Sequence, residues 1–269
     1  FAFTGPRCHN APMHKRYLPA VAVFLLSAGL MIGLVFVPFS WAGFLPEVCG
    51  VQNCYCEPFR AGYFVRQPLT ALSNLGYVLA GALILASEPA RENPLGRGPV
   101  YRRWFAAAAV TTGWASYLSH ASLTRAGEWL DLMGVYQLLL VLLVYSLQRL
   151  AGRTFRAIYI VALLLLALQM IYAPRWQQAV IAGLIGGWML VELLMRRVRY
   201  TRGQNHYALL ALVLFAAGAS IWAANGRAPI CPPGSFPWHV AWHMLSAAAF
   251  GLLYRYYQTE SIKAPEIAA

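Results

Sequence analysis

The chain has 269 residues, 59% of them hydrophobic and only 11% charged, with a positive mean hydropathy. A soluble domain carries about 25% charged residues, so the composition excludes an ordinary soluble enzyme and points to an all-α integral membrane protein. The net charge of +12 would suggest nucleic acid in a soluble chain. Here the positive residues sit in short loops between apolar spans, where they set topology, and nucleic acid is not an expected partner.

A basic tail with Arg7, Lys15 and Arg16 precedes an apolar stretch from Tyr17 to Trp41. That stretch exceeds the about 7–15 apolar residues of a cleaved signal and reads as a retained anchor helix, so residues 1–43 form a tail plus anchor. A polar, Cys-rich linker occupies 44–68. Seven apolar spans follow at 69–87, 103–121, 127–148, 155–173, 176–195, 206–224 and 238–257. Each is about long enough to cross a hydrocarbon core of ~30 Å as a helix. The expected fold is a seven-transmembrane-helix core over 69–257 plus one extra N-terminal transmembrane helix, with a short tail over 258–269.

Placing the N-terminus inside puts sixteen Lys and Arg residues in inner segments and five in outer ones. The positive-inside rule then places both termini in the cytoplasm. Cys49, Cys54, Cys56 and Cys231 all fall outside, and only Cys8 inside. Disulfides persist in oxidising compartments, and four cysteines allow three pairings. The favoured one joins Cys56 to Cys231, tying the linker to the loop before the last helix, and Cys49 to Cys54; free thiols are the alternative. A metal site of Cys49, Cys54 and Cys56 matches no usual zinc spacing.

The unusual residues are Ser116 and His120 at i and i+4, Asp131 just after them, and His239 and His243 at i and i+4 near the end. Ionisable residues at membrane depth are costly and are candidates for function by default. The topology places all of them at the outer end of their spans, and each i, i+4 pair shares a helix face. Three histidines with one open position make the catalytic form of a zinc site, in which bound water reaches a pKa of about 7. Asp131 is then positioned as general base and later proton donor. Ser116 is expected to donate to the developing oxyanion or to orient the water. His206, His9 and His14 are read as interfacial or tail residues, and Glu192 as snorkelling or pairing with a neighbouring Arg.

Tyr55-Cys56-Glu57-Pro58, Ser73-Asn74-Leu75, Ser116-x3-His120-x10-Asp131 and His239-x3-His243 resemble the alkaline ceramidases. These belong to a superfamily of seven-helix membrane hydrolases that includes the adiponectin receptors. The resemblance covers roughly residues 47–257; the anchor helix is extra. It implies zinc-dependent hydrolysis of the amide of a long-chain ceramide, with His120, His239 and His243 on zinc, Ser116 and Asp131 in catalysis, and Cys56 bonded to the loop before the last helix. One departure concerns calcium. The family's calcium site has an Asp three residues before the Glu of the Cys-Glu motif, an Asn two after it, and a Glu near the first core helix. This chain has Cys54, Phe59 and Gln67 there, and only Glu57 survives. Calcium takes about six to eight oxygen ligands, so it is not an expected cofactor. Ser73 and Asn74 are read as polar helix-packing residues.

The expected activity is therefore zinc-dependent hydrolysis of a membrane lipid amide. Cleavage of a lipid ester or phospholipid, or a receptor-like protein with a structural zinc, are the alternatives. A transporter ranks last, because the polar residues cluster at one end. The expected location is a bacterial inner membrane, with the site near the periplasmic face.

Overall fold

The computed structural model describes residues 13–47, 55–88, 95, 99–151, 156–198, 201–225 and 236–262. The helices of these residues are α1 (Met13–Leu34), α2 (Pro68–Ser73), α3 (Leu75–Ala86), α4 (Pro99–Ser122), α5 (Arg125–Ala151), α6 (Arg156–Tyr172), α7 (Gln177–Val198), α8 (Asn205–Asn225) and α9 (His239–Gln258). A two-residue antiparallel ladder joins Thr201–Arg202 to Ser261–Ile262. No feature of the sequence foretold that ladder.

Among the described residues, five stretches are long and apolar enough to cross a membrane: Tyr17–Leu34, Pro68–Ala86, Arg125–Ala151, Pro174–Arg197 and Asn205–Ala224. Helix α6 is apolar but shorter. The expected count of seven core spans is thus met only in part. The two remaining long helices, α4 and α9, carry the polar residues of the candidate site. Thr112, Ser116, Ser119, His120 and Ser122 on α4, and His239, His243 and Ser246 on α9, are all buried. Their polar faces turn toward other helices, which lowers the mean hydropathy without exposing charge to lipid. The first expected core span is also divided, since α2 gives way to α3 at Asn74.

Packing follows an arc. In order of contact it runs α8, α9, α3, α4, α5, α7, with α1 against the outside of α3 and α6 against α5. Small residues let α3 lie close on α4. A Cβ at Gly81 would stand 2.8 Å from the Ala106 carbonyl, and one at Gly113 would stand 2.9 Å from that of Asn74. The anchor helix is tied in by side chains of α4: Tyr117 donates to Met31 O at 2.7 Å, and Trp114 Nε1 donates to Ser27 Oγ at 3.1 Å. Among the described residues, the two ends of the arc, α7 and α8, do not pack along their length.

A buried ionic cluster joins α5, α7 and the segment after α9. Arg149 pairs with both Glu192 and Glu260. The guanidinium also lies over the rings of Tyr145 and Tyr257, at 4.9 and 4.6 Å from their centroids. Glu192 further accepts from Ser146 and, at 2.9 Å, from the Tyr257 hydroxyl. The Glu192–Arg pairing expected from the sequence is present, in a buried form. Breaking a buried pair strands the remaining charge and costs about 3–5 kcal/mol. Arg149→Met should therefore lower the thermal midpoint of the detergent-solubilised protein sharply. Arg197→Met, which alters an exposed cation of α7, should leave it nearly unchanged.

Candidate functional site

His120 sits in the last turn of α4, and His239 and His243 in the first turns of α9. All three are buried, His120 completely. Their ligand-capable nitrogens lie within 4.8 Å of one another. Ring centroids are 5.1 Å apart for His120–His239, 5.0 Å for His120–His243 and 4.6 Å for His239–His243. The expected triad is therefore assembled by two helix ends that are 119 residues apart along the chain.

The chain holds His243 from behind. Ser73 Oγ gives its one hydrogen to Thr70 O at 2.6 Å, and lies 2.7 Å from His243 Nδ1. A hydroxyl has one hydrogen to give, so Nδ1–H must be the donor to Ser73. Nε2 is left with a lone pair for a ligand, the arrangement by which an outer hydrogen bond orients a metal-binding imidazole. The reading of Ser73 as a polar residue that bonds between helices is thus met, with His243 as its partner.

Ser73 is placed by α2, and α2 is placed by Glu57. A helix N-terminus leaves its first N–H groups without partners, and Gln67 at the N-cap supplies no side-chain cap. The buried carboxylate of Glu57 supplies it instead, accepting Leu69 N at 2.7 Å, Thr70 N at 2.8 Å and Thr70 Oγ at 2.6 Å. A negative charge there also complements the helix dipole. Glu57, expected as a remnant calcium-site position, serves as a helix cap. Pro68 at the first helical position, with no capping residue before it, was the available signal.

The C-terminus of α4 needs the complementary treatment for its carbonyls. His120 O accepts Gln67 N at 3.3 Å, Ala121 O accepts Arg66 N at 3.0 Å, and Ser122 O accepts Arg66 Nη1 at 3.3 Å. Leu123 ends the helix in the left-handed region, at φ 50, and its carbonyl accepts Glu47 N at 3.1 Å. The linker thus forms a cover over the histidines. Tyr55 lies under it, its ring 4.7 Å from that of His120 and 4.4 Å from that of His239. Cys56 is disulfide-bonded; the other expected disulfide residues, Cys49, Cys54 and Cys231, lie outside the described residues.

Ser116 and Asp131 come together as expected, with the hydroxyl beside the carboxylate. Both line a cavity of about 820 Å³ that His239, His243 and Tyr55 also line. The remaining wall is mainly apolar and comes from α5, α7, α8 and α9. Gln178 and Arg196 on α7 both face this cavity, and at 1.5 Å per residue they are about 27 Å apart. Its long axis therefore matches the thickness of a hydrocarbon core of ~30 Å. Both α7 and α8 contribute to its wall, and among the described residues these two helices do not pack along their length.

The donor set fits a metal such as zinc. Both ring nitrogens of His120 and Nδ1 of His239 are buried without a hydrogen-bond partner among the described residues. Within that part of the chain, His120 is the one whose side chain leaves two such atoms. Buried polar groups are ordinarily satisfied, and imidazole nitrogens at about 2.0–2.1 Å suit tetrahedral zinc. Two of these histidines, His239 and His243, line the cavity that holds Ser116 and Asp131.

No family model matches the chain, and no curated protein matches it either. What the chain does has to be read from its own residues.

Sequence reasoning did not foresee Glu47. It is buried in the cover, and one of its carboxylate oxygens has no partner among the described residues. Burial first, then the neighbouring Glu128 and Asp131, push its carboxyl up to about 8. Because the folded chain holds this proton more tightly than the unfolded one, stability falls as pH rises from the ordinary carboxyl range of about 4.5 toward 8. Glu47→Gln should flatten that fall and raise the thermal midpoint at pH 8–9, measured across pH 5–9. Ser73→Ala, by removing the hydrogen bond behind His243, should weaken zinc affinity about 10–100-fold in a chelator competition.

Proposed function

We infer that the protein is a zinc-dependent intramembrane hydrolase of lipid amides, with a ceramide-like substrate. The observation that carries this reading is the common placement of three buried histidines, a carboxylate and a hydroxyl at one end of a long apolar cavity. A structural zinc site usually closes with four protein ligands, whereas three histidines leave a position open. The resemblance of the polar motifs to those of alkaline ceramidases points the same way.

Bound by the three histidines, zinc would supply an acidified water and a Lewis acid for a carbonyl oxygen. Asp131 accepts the proton of the attacking water as the new carbon–oxygen bond forms. It then passes that proton to the leaving nitrogen as the carbon–nitrogen bond breaks, so that a fatty acid and an amine are released. Ser116 holds the Asp131 carboxylate in place. The apolar cavity receives the acyl chain, and the seam between α7 and α8 admits the lipid from the bilayer. The cover of linker residues limits bulk water at the outer end. The charge distribution supports cytoplasmic termini and a site near the outer face of a bacterial inner membrane.

The purified protein should contain about one zinc per chain, the stoichiometry of a three-histidine catalytic site, and His120→Ala and His243→Ala should lose it. Asp131→Asn should keep the zinc and lose about 10²–10⁴-fold in kcat. Metal analysis beside product release from panels of long-chain amides and esters checks both. A zinc-free, folded wild type, or wild-type turnover in Asp131→Asn, would contradict the reading.

A further inference from the structure

An acyl transfer needs a hydrogen-bond donor aimed at the oxygen on which charge develops, and the hydroxyls at the histidine end of the cavity can be accounted for one by one. Each hydroxyl has a single hydrogen to give. Ser116 has the Asp131 carboxylate as its neighbour. Thr112 donates to Ala108 O at 2.7 Å and Gly134 O at 3.0 Å. Tyr77 donates to Ser246 Oγ at 2.7 Å, and Ser246 donates to Trp242 O at 2.5 Å. The hydrogen of Ser73 goes to Thr70 O. Ser116 beside Asp131 keeps the role expected for it, donating to the oxyanion or orienting the water.

Tyr55 carries a second hydroxyl at this end whose hydrogen is not committed among the described residues. Its ring lies against His120 and His239, and it lines the cavity alongside Ser116 and Asp131. Its hydroxyl makes no hydrogen bond to another of the described residues. A phenol of ordinary pKa about 10 carries its proton at neutral pH. We propose that Tyr55 is a further catalytic residue, whose hydroxyl donates a hydrogen bond to the carbonyl oxygen of the bound lipid as that oxygen gains charge. The proposal rests on the hydrolase reading. It adds a requirement on the substrate: the scissile carbonyl must lie at the cover end of the cavity, beside the Tyr55 hydroxyl and the histidines, with the acyl chain running inward along α7 and α9.

Tyr55→Phe removes the hydroxyl and keeps the ring on the two histidines. The test uses the full chain in lipid nanodiscs and compares wild type with this variant in three ways: zinc content, calorimetric affinity for hexadecylphosphonate as a tetrahedral oxyanion mimic, and kcat and KM on whichever long-chain amide or ester wild type cleaves. The expected result is unchanged zinc, phosphonate binding weakened at least about tenfold, and kcat lowered by about 10²-fold, the scale for a lost oxyanion donor, with KM little changed. Wild-type phosphonate affinity and kcat in the variant would overturn the donor role and leave the hydrolase reading standing. Loss of zinc in the variant would also overturn it, by assigning Tyr55 to the metal site instead. A wild type that neither binds the phosphonate nor cleaves any lipid would remove the hydrolase reading, and the donor role with it.

Discussion

Imidazole nitrogens placed in an apolar interior must find partners, because each unsatisfied polar group there costs on the order of 1–3 kcal/mol. The histidine end of this fold is arranged around that constraint. His120 enters it at the end of one helix and His239 and His243 at the start of another, so the site draws on two helix termini as well as three rings. Both kinds of terminus carry orphaned backbone groups, and the linker serves those of α2 and α4. Glu57 takes the free N–H groups of α2, while Arg66, Gln67 and Glu47 donate to the free carbonyls that end α4. A chain from Glu57 through α2 and Ser73 to His243 then fixes one ring nitrogen and leaves the other available. The segment that closes the helices is also the segment that covers the site.

The opposite end of the cavity meets a different demand. There Glu192, Arg196 and Tyr256 contribute to the wall, and Arg149 gathers Glu192 and Glu260 beside Tyr145 and Tyr257. Buried charges survive when they are paired and hydrogen-bonded, and this group links α5 and α7 to the segment beyond α9. An arc of helices whose ends do not pack needs such a tie. Held at both ends, the arc can leave α7 and α8 unpacked against each other around an apolar interior.

Much of the site was legible because membrane depth makes ionisable residues conspicuous. Ser116, His120, Asp131, His239 and His243 stood out singly, and helical spacing with the topology brought them to one level. The division of roles among the polar residues was harder to read. Glu57 acts across twelve to thirteen residues on a helix whose own N-cap is a poor one, and side-chain capping at that range leaves no local pattern. Ser73 was visible as a polar residue in an apolar span, but its partner is 170 residues away. The hydropathy criterion worked least well for α4 and α9, because the polar faces that build the site are the ones that lower the average. The break at Asn74, the small ladder near the C-terminus and the burial of Glu47 all depend on tertiary contacts rather than on local composition.

Zinc-edge X-ray absorption of the purified, full-length protein tests the central claim most directly. Three imidazole nitrogens at about 2.0–2.1 Å with one further light-atom ligand are expected, with loss of the imidazole signal when His120 is replaced. A zinc shell containing sulfur, or a folded protein with no bound metal, would contradict the claim.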